Sequence, residues 1–290
     1  RIYMKLKSIL VFALMLLLSV SAVGKIRVMS YNIRQGVAED GNNNWDIRKP
    51  ATIAMIKDLK PDVFGMQEAF KFQLDYIAEN CPEYAIVGVG RDDGKEGGEH
   101  MSVAYNTKTV ELLDWGTYWL SETPEVPSKG WDAACKRTAT WTLLREKKSG
   151  KKFFFVNTHL DHVGVVARKE GLALLYRRIS EMNPDGAPMV LTGDFNVLPN
   201  DKGLVDINRI MSSARFSAKK ADTKGSFNGW GEYGESKAAP VLGRKVRECL
   251  PIDYIYFTGY KKCSVFKVVD NSYVNIPYIS DHYPVYADLK

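Results

Sequence analysis

Six short polar phrases, each at the edge of an apolar, β-branched run, limit what this chain can fold into more than anything else in it. They read Ser30-Tyr31-Asn32, Met66-Gln67-Glu68, Asn157-Thr158-His159, Thr192-Gly193-Asp194-Phe195-Asn196, Ile252-Asp253-Tyr254 and Ser280-Asp281-His282. Five follow or open a strand-like stretch, and the sixth, around Asp281, precedes one. Together they bring histidines, asparagines and carboxylates to what reads as one pocket along the edges of a sheet. Hard oxygen donors beside histidines point to Mg²⁺ or Mn²⁺ and to phosphate chemistry.

The elements around these phrases follow from periodicity. Residues 26–33 alternate and read as a strand, and Val63–Met66 reads as a short buried one delivering Glu68. Between them, Arg48–Leu59 has apolar residues near helical spacing, with Asp46 as N-cap and Pro61 as stop. Phe70–Ile77 reads as a helix, and strands are expected at Tyr84–Val89, Ser102–Asn106, Val110–Gly116 and Thr138–Leu144. The pattern then restarts. Lys152–Thr158 is a strand, Val165–Met182 the longest helix, and Met189–Thr192 a strand delivering Asp194. A helix over Leu204–Met211 and strands at Ile252–Phe257, Ser264–Val269 and Val285–Leu289 close the chain. Strand–helix–strand ending in an acid thus occurs twice, around Glu68 and around Asp194. So many strands with covering helices imply an α/β (α+β) domain in four layers, with two mixed sheets face to face and helices outside.

The first segment reads as separate from that fold. Lys5 and Lys7 precede the apolar run Ile9–Leu18, which ends in Ser19-Val20-Ser21-Ala22: a basic start, a short apolar core and a small-residue cleavage site. The run is shorter than the roughly 20 residues a membrane span needs. Residues 1–22 are therefore expected to be a signal peptide. The product would be exported, periplasmic or secreted, with no stable membrane span after processing. Without Arg1, Lys5 and Lys7 the formal charge falls from +6 to +3 over the remaining 268 residues. A balance that small does not mark a nucleic-acid binder. Cys81, Cys135, Cys249 and Cys263 lack CxxC spacing, so zinc is not indicated. They are either buried thiols or allow a disulfide whose pairing the sequence does not select.

Several residues have chemistry to offer. Glu68 ends a buried strand, where its carboxylate can hold a cation or favour a helix N-terminus. Asp194 and Asn196, one residue apart, lie on the same side of an extended chain, where an acid can take a proton from water that an amide orients. They also fit an Asx turn. Asp253 and Asp281-His282 offer carboxylates that can fix a histidine tautomer and raise its pKa. His159 fits a phosphate contact or an acid; Asp161 and His162 follow without a third clustered metal ligand. Glu99 is placed to orient a catalytic histidine, and Arg137 to grip phosphate. Two irregular stretches with Trp, Ser121–Cys135 and Ala221–Leu250, are expected to rim the pocket.

The ordered set Asn32, Glu68, His159, Asp194 with Asn196, Asp253 and Asp281-His282 resembles the endonuclease/exonuclease/phosphatase superfamily, over residues 25–290. Trp119-Leu120-Ser121-Glu122-Thr123-Pro124, Gly130-Trp131-Asp132 and Arg137 look like an exported bacterial subgroup of it. The resemblance implies a deoxyribonuclease I-like fold and a phosphoesterase using Mg²⁺ or Mn²⁺. It implies that Glu68 binds the metal with Asn32 and Asp281 near it, and that Asp194 holds the attacking water that Asn196 orients. His282, paired with Asp253, then acts on the phosphoryl group, and His159 contacts phosphate or assists the leaving group. The expected substrate is a phosphodiester or phosphomonoester, with a small phosphorylated molecule favoured over a lipid headgroup or nucleic acid, and the protein is expected to be a monomer. The competing readings are a DNA or RNA nuclease and a non-catalytic ligand-binding module.

Overall fold

Val63–Gln67 and Met189–Asp194 are apolar runs buried along their whole length, the signature of strands covered on both faces. In the computed structural model, which describes residues 24–233 and 248–290, these two runs lie inside two different sheets. The strands in chain order are β1 (Ile26–Asn32), β2 (Val63–Gln67), β3 (Tyr84–Val87), β4 (Val103–Asn106), β5 (Val110–Trp119), β6 (Thr138–Glu146), β7 (Lys152–His159), β8 (Met189–Asp194), β9 (Ser212–Ser213), β10 (Lys220–Ala221), β11 (Asp253–Thr258), β12 (Cys263–Val268) and β13 (Val285–Leu289). The first sheet runs β10-β12-β13-β1-β2-β4-β3 and the second β5-β6-β7-β8-β11-β9. The principal helices are α1 (Trp45–Leu59), α2 (Lys71–Asn80) and α3 (Val165–Met182).

The expected duplication is present as topology. β1 and β2 pair in parallel across α1, and β7 and β8 pair in parallel across α3. The other principal ladders are antiparallel, so both sheets are mixed. Three apolar clusters fill the layers. One, with Val28, Val63, Phe153, Phe155, Val190 and Ile255, draws on both sheets. Met29, Phe64 and Met66 pack with Met55 and Ile56 of α1 and Leu74 of α2. Phe154, Val156 and Leu191 pack with Leu172, Leu175 and Ile179 of α3. These clusters hold the expected four layers together by burying one face of each helix and both faces of the central strands.

Boundaries moved where local chemistry opposed the pattern. α1 begins a turn earlier than expected, after Asn44 rather than Asp46, and contains Pro50; Asp46 instead pairs with Lys49 at 2.6 Å. It ends at Leu59 because Lys60 turns left-handed, with φ 48°. α2 runs to Asn80, three residues past the expected end. β5 continues to Trp119 across a bulge between Leu112 and Asp114, which resets the alternation. The helix expected at Leu204–Met211 is a short 3₁₀ turn, Lys202–Leu204, leading into helix Val205–Ile210.

The sheets meet closely beneath the site. A Cβ on Gly65 of β2 would lie 2.3 Å from Asn157 Oδ1 and 2.6 Å from Thr192 Oγ1. Only glycine lets β2 approach β7 and β8 this closely. Asn157 Nδ2 donates to the carbonyls of Met66 and Ser102, and Gln67 Nε2 donates to Asn157 Oδ1. This buried amide pair ties the strand that leads to Glu68 to the strand that leads to His159. Among the described residues no helix is long and apolar enough to cross a membrane. None of the four cysteines is in a disulfide. The signal peptide assigned to residues 1–22 lies outside the described residues.

Candidate active site

Strand register brings the polar phrases together. His159 of β7 stands opposite Asp194 of β8, and Asp194 stands opposite Asp253 of β11. In the other sheet Asn32 of β1 pairs with Gln67 of β2, which places Glu68 at the same edge. Asn32 joins the two sheets: its Nδ2 donates to Glu68 Oε1 and to Asp194 Oδ2, each at 3.0 Å. Glu68, Arg137, His159, Asp194, Asn196, Asp281 and His282 all line one cleft of about 600 Å³. Asn32 and Asp253 are buried behind it.

The chain leaves these strands by turns that the pattern does not reveal. Arg34, Glu68 and Asn196 have φ of 59°, 62° and 54°, a left-handed conformation unfavourable for residues with a Cβ. Two of the turns are built alike. Arg34 N donates to Asn32 Oδ1 at 3.0 Å, and Asn196 N donates to Asp194 Oδ1 at 2.9 Å. Asp194 and Asn196 therefore face the cleft through an Asx turn and not because the chain is extended. Asn196 Nδ2 donates to the Leu160 carbonyl and to His159 Nε2, each at 3.0 Å.

The two histidines take opposite charge states. Burial acts to lower the His282 pKa. It is overcome by the charge of Asp253, whose Oδ2 is 2.8 Å from His282 Nδ1, and by Asp194 at 3.6 Å from Nε2, so the group is raised to about 10. His282 is an imidazolium at neutral pH. Burial and then the charges of Arg137 and His282 push His159 well below its usual value, so it is neutral. With Nε2 accepting from Asn196, the His159 proton sits on Nδ1, which is buried without a hydrogen-bond partner. Burial pushes Asp194 up to about 7, His282 draws it back and Asp253 adds to the rise. A buried carboxylate poised near neutrality can take a proton from water.

Beside this floor stands an oxygen-rich wall. Glu68 Oε2 accepts from Gln35 N at 3.2 Å, and Arg34 lies 4.0 Å from Glu68 and 3.8 Å from Asp281. Burial raises Asp281; His282 lowers it and Glu68 raises it again. Glu99 is pushed up to about 7, by burial first and then by the charge of Glu68. Carboxylates crowded this way are relieved by a cation, and Glu68, Asp281 and the Asn32 amide are the hard oxygen donors that suit Mg²⁺ or Mn²⁺. Asp194, Asp253 and His282 are also near enough to share an ion. At neutral pH the His282 proton competes with an ion for that position.

Other expectations changed. Glu99 does not orient a histidine: its Oε2 accepts from Arg91 Nη1 at 2.6 Å. His100 lines a separate surface depression with Tyr84 and Ser102. Arg137 is held by Asp161, with Nε 3.2 Å from Oδ2, and its Nη2 is 2.9 Å from His162 Nδ1. Of Ser121–Cys135, Cys135 lines the cleft, whereas Trp131 packs against the α3 core. Of Ala221–Leu250, Phe227 and Leu250 line it; residues 234–247 lie outside the described residues. The stretch also aligns the polar phrases. Asp253 N donates to Ser226 Oγ, Asn228 N donates to the Asp281 carbonyl, and the Phe227 ring sits 4.9 Å from that of His282.

Arg48 is the least expected participant. Its guanidinium is wholly buried and has only carbonyls as hydrogen-bond acceptors: those of Ile33, Arg34, Asn43 and Ile279. It clamps the turn after β1 to the segment before Asp281, and Trp230 lies over it at 5.8 Å. Nothing in its sequence neighbourhood separates it from the half-buried lysine that follows.

The comparisons agree with this architecture. The profile of the Endonuclease/Exonuclease/phosphatase family matches residues 29–282. An endonuclease/exonuclease/phosphatase structure from Bacteroides vulgatus is 35% identical, covers 92% of this chain and 99% of its own, and superposes with a TM-score of 0.82. A mannosyl-6-phosphatase from Bacteroides thetaiotaomicron is 32% identical with 91% and 99% coverage and a TM-score of 0.82. An uncharacterized protein of Acanthamoeba polyphaga mimivirus is 26% identical over 90% of this chain and 98% of its own.

Proposed function

The chain belongs to the endonuclease/exonuclease/phosphatase family, and from that premise we propose that it is a divalent-metal-dependent hydrolase of a small phosphorylated molecule. The observation that carries this reading is the charged His282 between Asp253 at 2.8 Å and Asp194 at 3.6 Å, with neutral His159 also 3.5 Å from Asp194. The cleft floor thus offers a proton acceptor and a fixed positive charge side by side, and phosphoryl transfer depends on positioning and charge more than on covalent chemistry.

Glu68, Asp281 and Asn32 would hold Mg²⁺ or Mn²⁺, which when bound polarises a phosphoryl oxygen and eases departure of the leaving oxygen. Asp194 accepts a proton from the attacking water, and the Asn196 amide orients that water. His282 keeps its proton and stabilises the negative charge on phosphorus, held in line by Asp253. His159 borders the phosphate group from its place beside Asp194, 3.5 Å away. The ester P–O bond breaks as the water oxygen bonds to phosphorus, and the leaving oxygen takes a proton from solvent at the cleft mouth.

A small substrate is favoured by the mannosyl-6-phosphatase relative and by the low charge of +3 after residue 22. A nuclease would show a steep loss of DNA affinity with salt. Export is part of the same reading: cleavage after Ala22 and recovery outside the cytoplasm are expected, and an unprocessed cytoplasmic chain would contradict it.

Chelation tests the metal. EDTA is expected to abolish hydrolysis, and Mg²⁺ or Mn²⁺ to restore it. In calorimetric titration, Glu68→Gln should weaken Mn²⁺ binding by about 10-fold or more. Full activity after chelation and dialysis would remove the metal from the reaction.

A further inference from the structure

The cleft has two walls. One carries Glu68 and Asp281, with Arg34 beside both; the other carries Arg91 with its partner Glu99, Arg137 and His162, from three separate segments. The second wall is built, not incidental. Asp161 is 1% exposed and accepts from the backbone N–H of Ala134 at 3.1 Å, Val163 at 3.0 Å and Gly164 at 2.7 Å as well as from Arg137 Nε. It fixes the Arg137 guanidinium, which is itself 5% exposed on its side chain. Arg137 Nη2 donates to His162 Nδ1, so the His162 proton sits on Nε2 as a further donor.

Arg91 is tied to the same unit. Trp119 Nε1 donates to its carbonyl and Lys136 Nζ to the carbonyl of Asp92, both at 2.7 Å. The loop bearing Arg91 is thereby locked to the segment bearing Arg137. Arg91 Nη1 engages Glu99, while its Nε is buried without a partner. A guanidinium has five N–H donors in a fixed plane, so both arginines keep donors beyond those already engaged. The charges of Arg137 and Arg91 are both felt by His159, behind the larger effect of its burial. The wall lines the same cleft as His159, Asp194 and His282.

We infer that Arg91, Arg137 and His162 form a recognition wall for the non-esterified oxygens of a terminal phosphoryl group, and that this wall makes the protein select phosphomonoesters over phosphodiesters. A monoester presents three non-bridging oxygens and two negative charges. Two fixed guanidiniums and an imidazole N–H match that group. A diester has one charge fewer and a second ester arm. With its phosphorus in the same place, that arm meets the wall and leaves buried N–H groups unpaired. In the hydrolysis water adds to phosphorus, the ester oxygen leaves as an alcohol and inorganic phosphate is released.

The inference rests on the proposed phosphoesterase activity and is tested separately from it. Arg91→Met and His162→Ala leave the Arg137–Asp161 pair intact. With Mg²⁺ present, kcat/KM is measured on p-nitrophenyl phosphate and on bis-p-nitrophenyl phosphate, and inhibition by inorganic phosphate is measured alongside. The wild type should favour the monoester. Each variant should lower the monoester-to-diester ratio by about 10-fold and weaken phosphate inhibition by about as much, the loss expected for one charge-assisted hydrogen bond. An unchanged ratio in both variants, or a wild type that favours the diester, overturns the wall. A wild type that hydrolyses neither ester overturns the phosphoesterase reading itself.

Discussion

His282→Ala lowers kcat by about 10²- to 10⁴-fold, the range for loss of a positioned proton-bearing group. The variant loses the imidazolium that faces Asp194 and leaves Asp253, already buried with an unpartnered Oδ1, without its one ionic partner. His282→Gln restores a hydrogen bond but not the charge, and remains slow. Stability follows the same proton. The folded pKa, about 10, lies above the ordinary 6.5, so the stabilisation is full below about 6.5 and is lost as pH rises through about 10. Denaturation of wild type and variant should therefore converge in strong alkali. Turnover near the wild-type value in His282→Ala would remove this residue from the chemistry.

Asp161→Ala destabilises the fold by about 3–5 kcal/mol, the effect of stranding one member of a buried ion pair. The carboxylate neutralises Arg137 and receives four backbone N–H groups, those of Val163 and Gly164 just before α3 and those of Ala134 and Cys135 just before β6. At about 2–4 °C per kcal/mol for a domain of this size, thermal unfolding should shift by about 10 °C. Although burial opposes it, the N–H groups of Gly164, Ala134 and Val163, with Arg137, hold this carboxyl well below its usual range. A depressed folded pKa contributes stability above the unfolded value of about 3.9 that is lost as pH falls through the folded one. The gap between wild type and variant should therefore close in acid. Asp161→Asn, which keeps one acceptor oxygen, should lose less. An unfolding temperature within about 2 °C of wild type would show that Arg137 is held by something else.

These two residues show what the sequence discloses and what it hides. His282 was legible because it stands beside Asp281, at the edge of a strand and in order with five other polar phrases. Strand edges are local, so periodicity finds them. Asp161 was legible only as a neighbour of His159, because its partners Arg137 and Ala134 lie more than twenty residues away and share no pattern with it. The same holds for Arg91, which binds Glu99 by closing a loop, and for Arg48, whose acceptors are backbone carbonyls that any residue supplies. The four layers could be read from alternating apolar runs, and so could the two strand–helix–strand halves. The left-handed turns at Arg34 and Glu68 could not, since arginine and glutamate give no warning of positive φ, whereas Asn196 is a type that tolerates it and fits the Asx turn. Phe227 of the second irregular stretch lines the cleft as expected, but Trp131 of the first does not, since a tryptophan packed on a core helix and one rimming a pocket look alike in sequence.

Phosphoester hydrolysis in this cleft should depend on the Asp194 carboxylate. Wild type and Asp194→Asn are compared, with Mg²⁺ or Mn²⁺, on a panel of sugar phosphates, p-nitrophenyl phosphate, bis-p-nitrophenyl phosphate, a phospholipid headgroup ester and single-stranded DNA. The wild type should hydrolyse at least one small phosphoester, and Asp194→Asn should be slower by about 10²-fold or more while unfolding as cooperatively as wild type. Hydrolysis of none of them by the wild type, or equal rates in the two proteins, would contradict the assignment of this cleft to metal-assisted phosphoester hydrolysis.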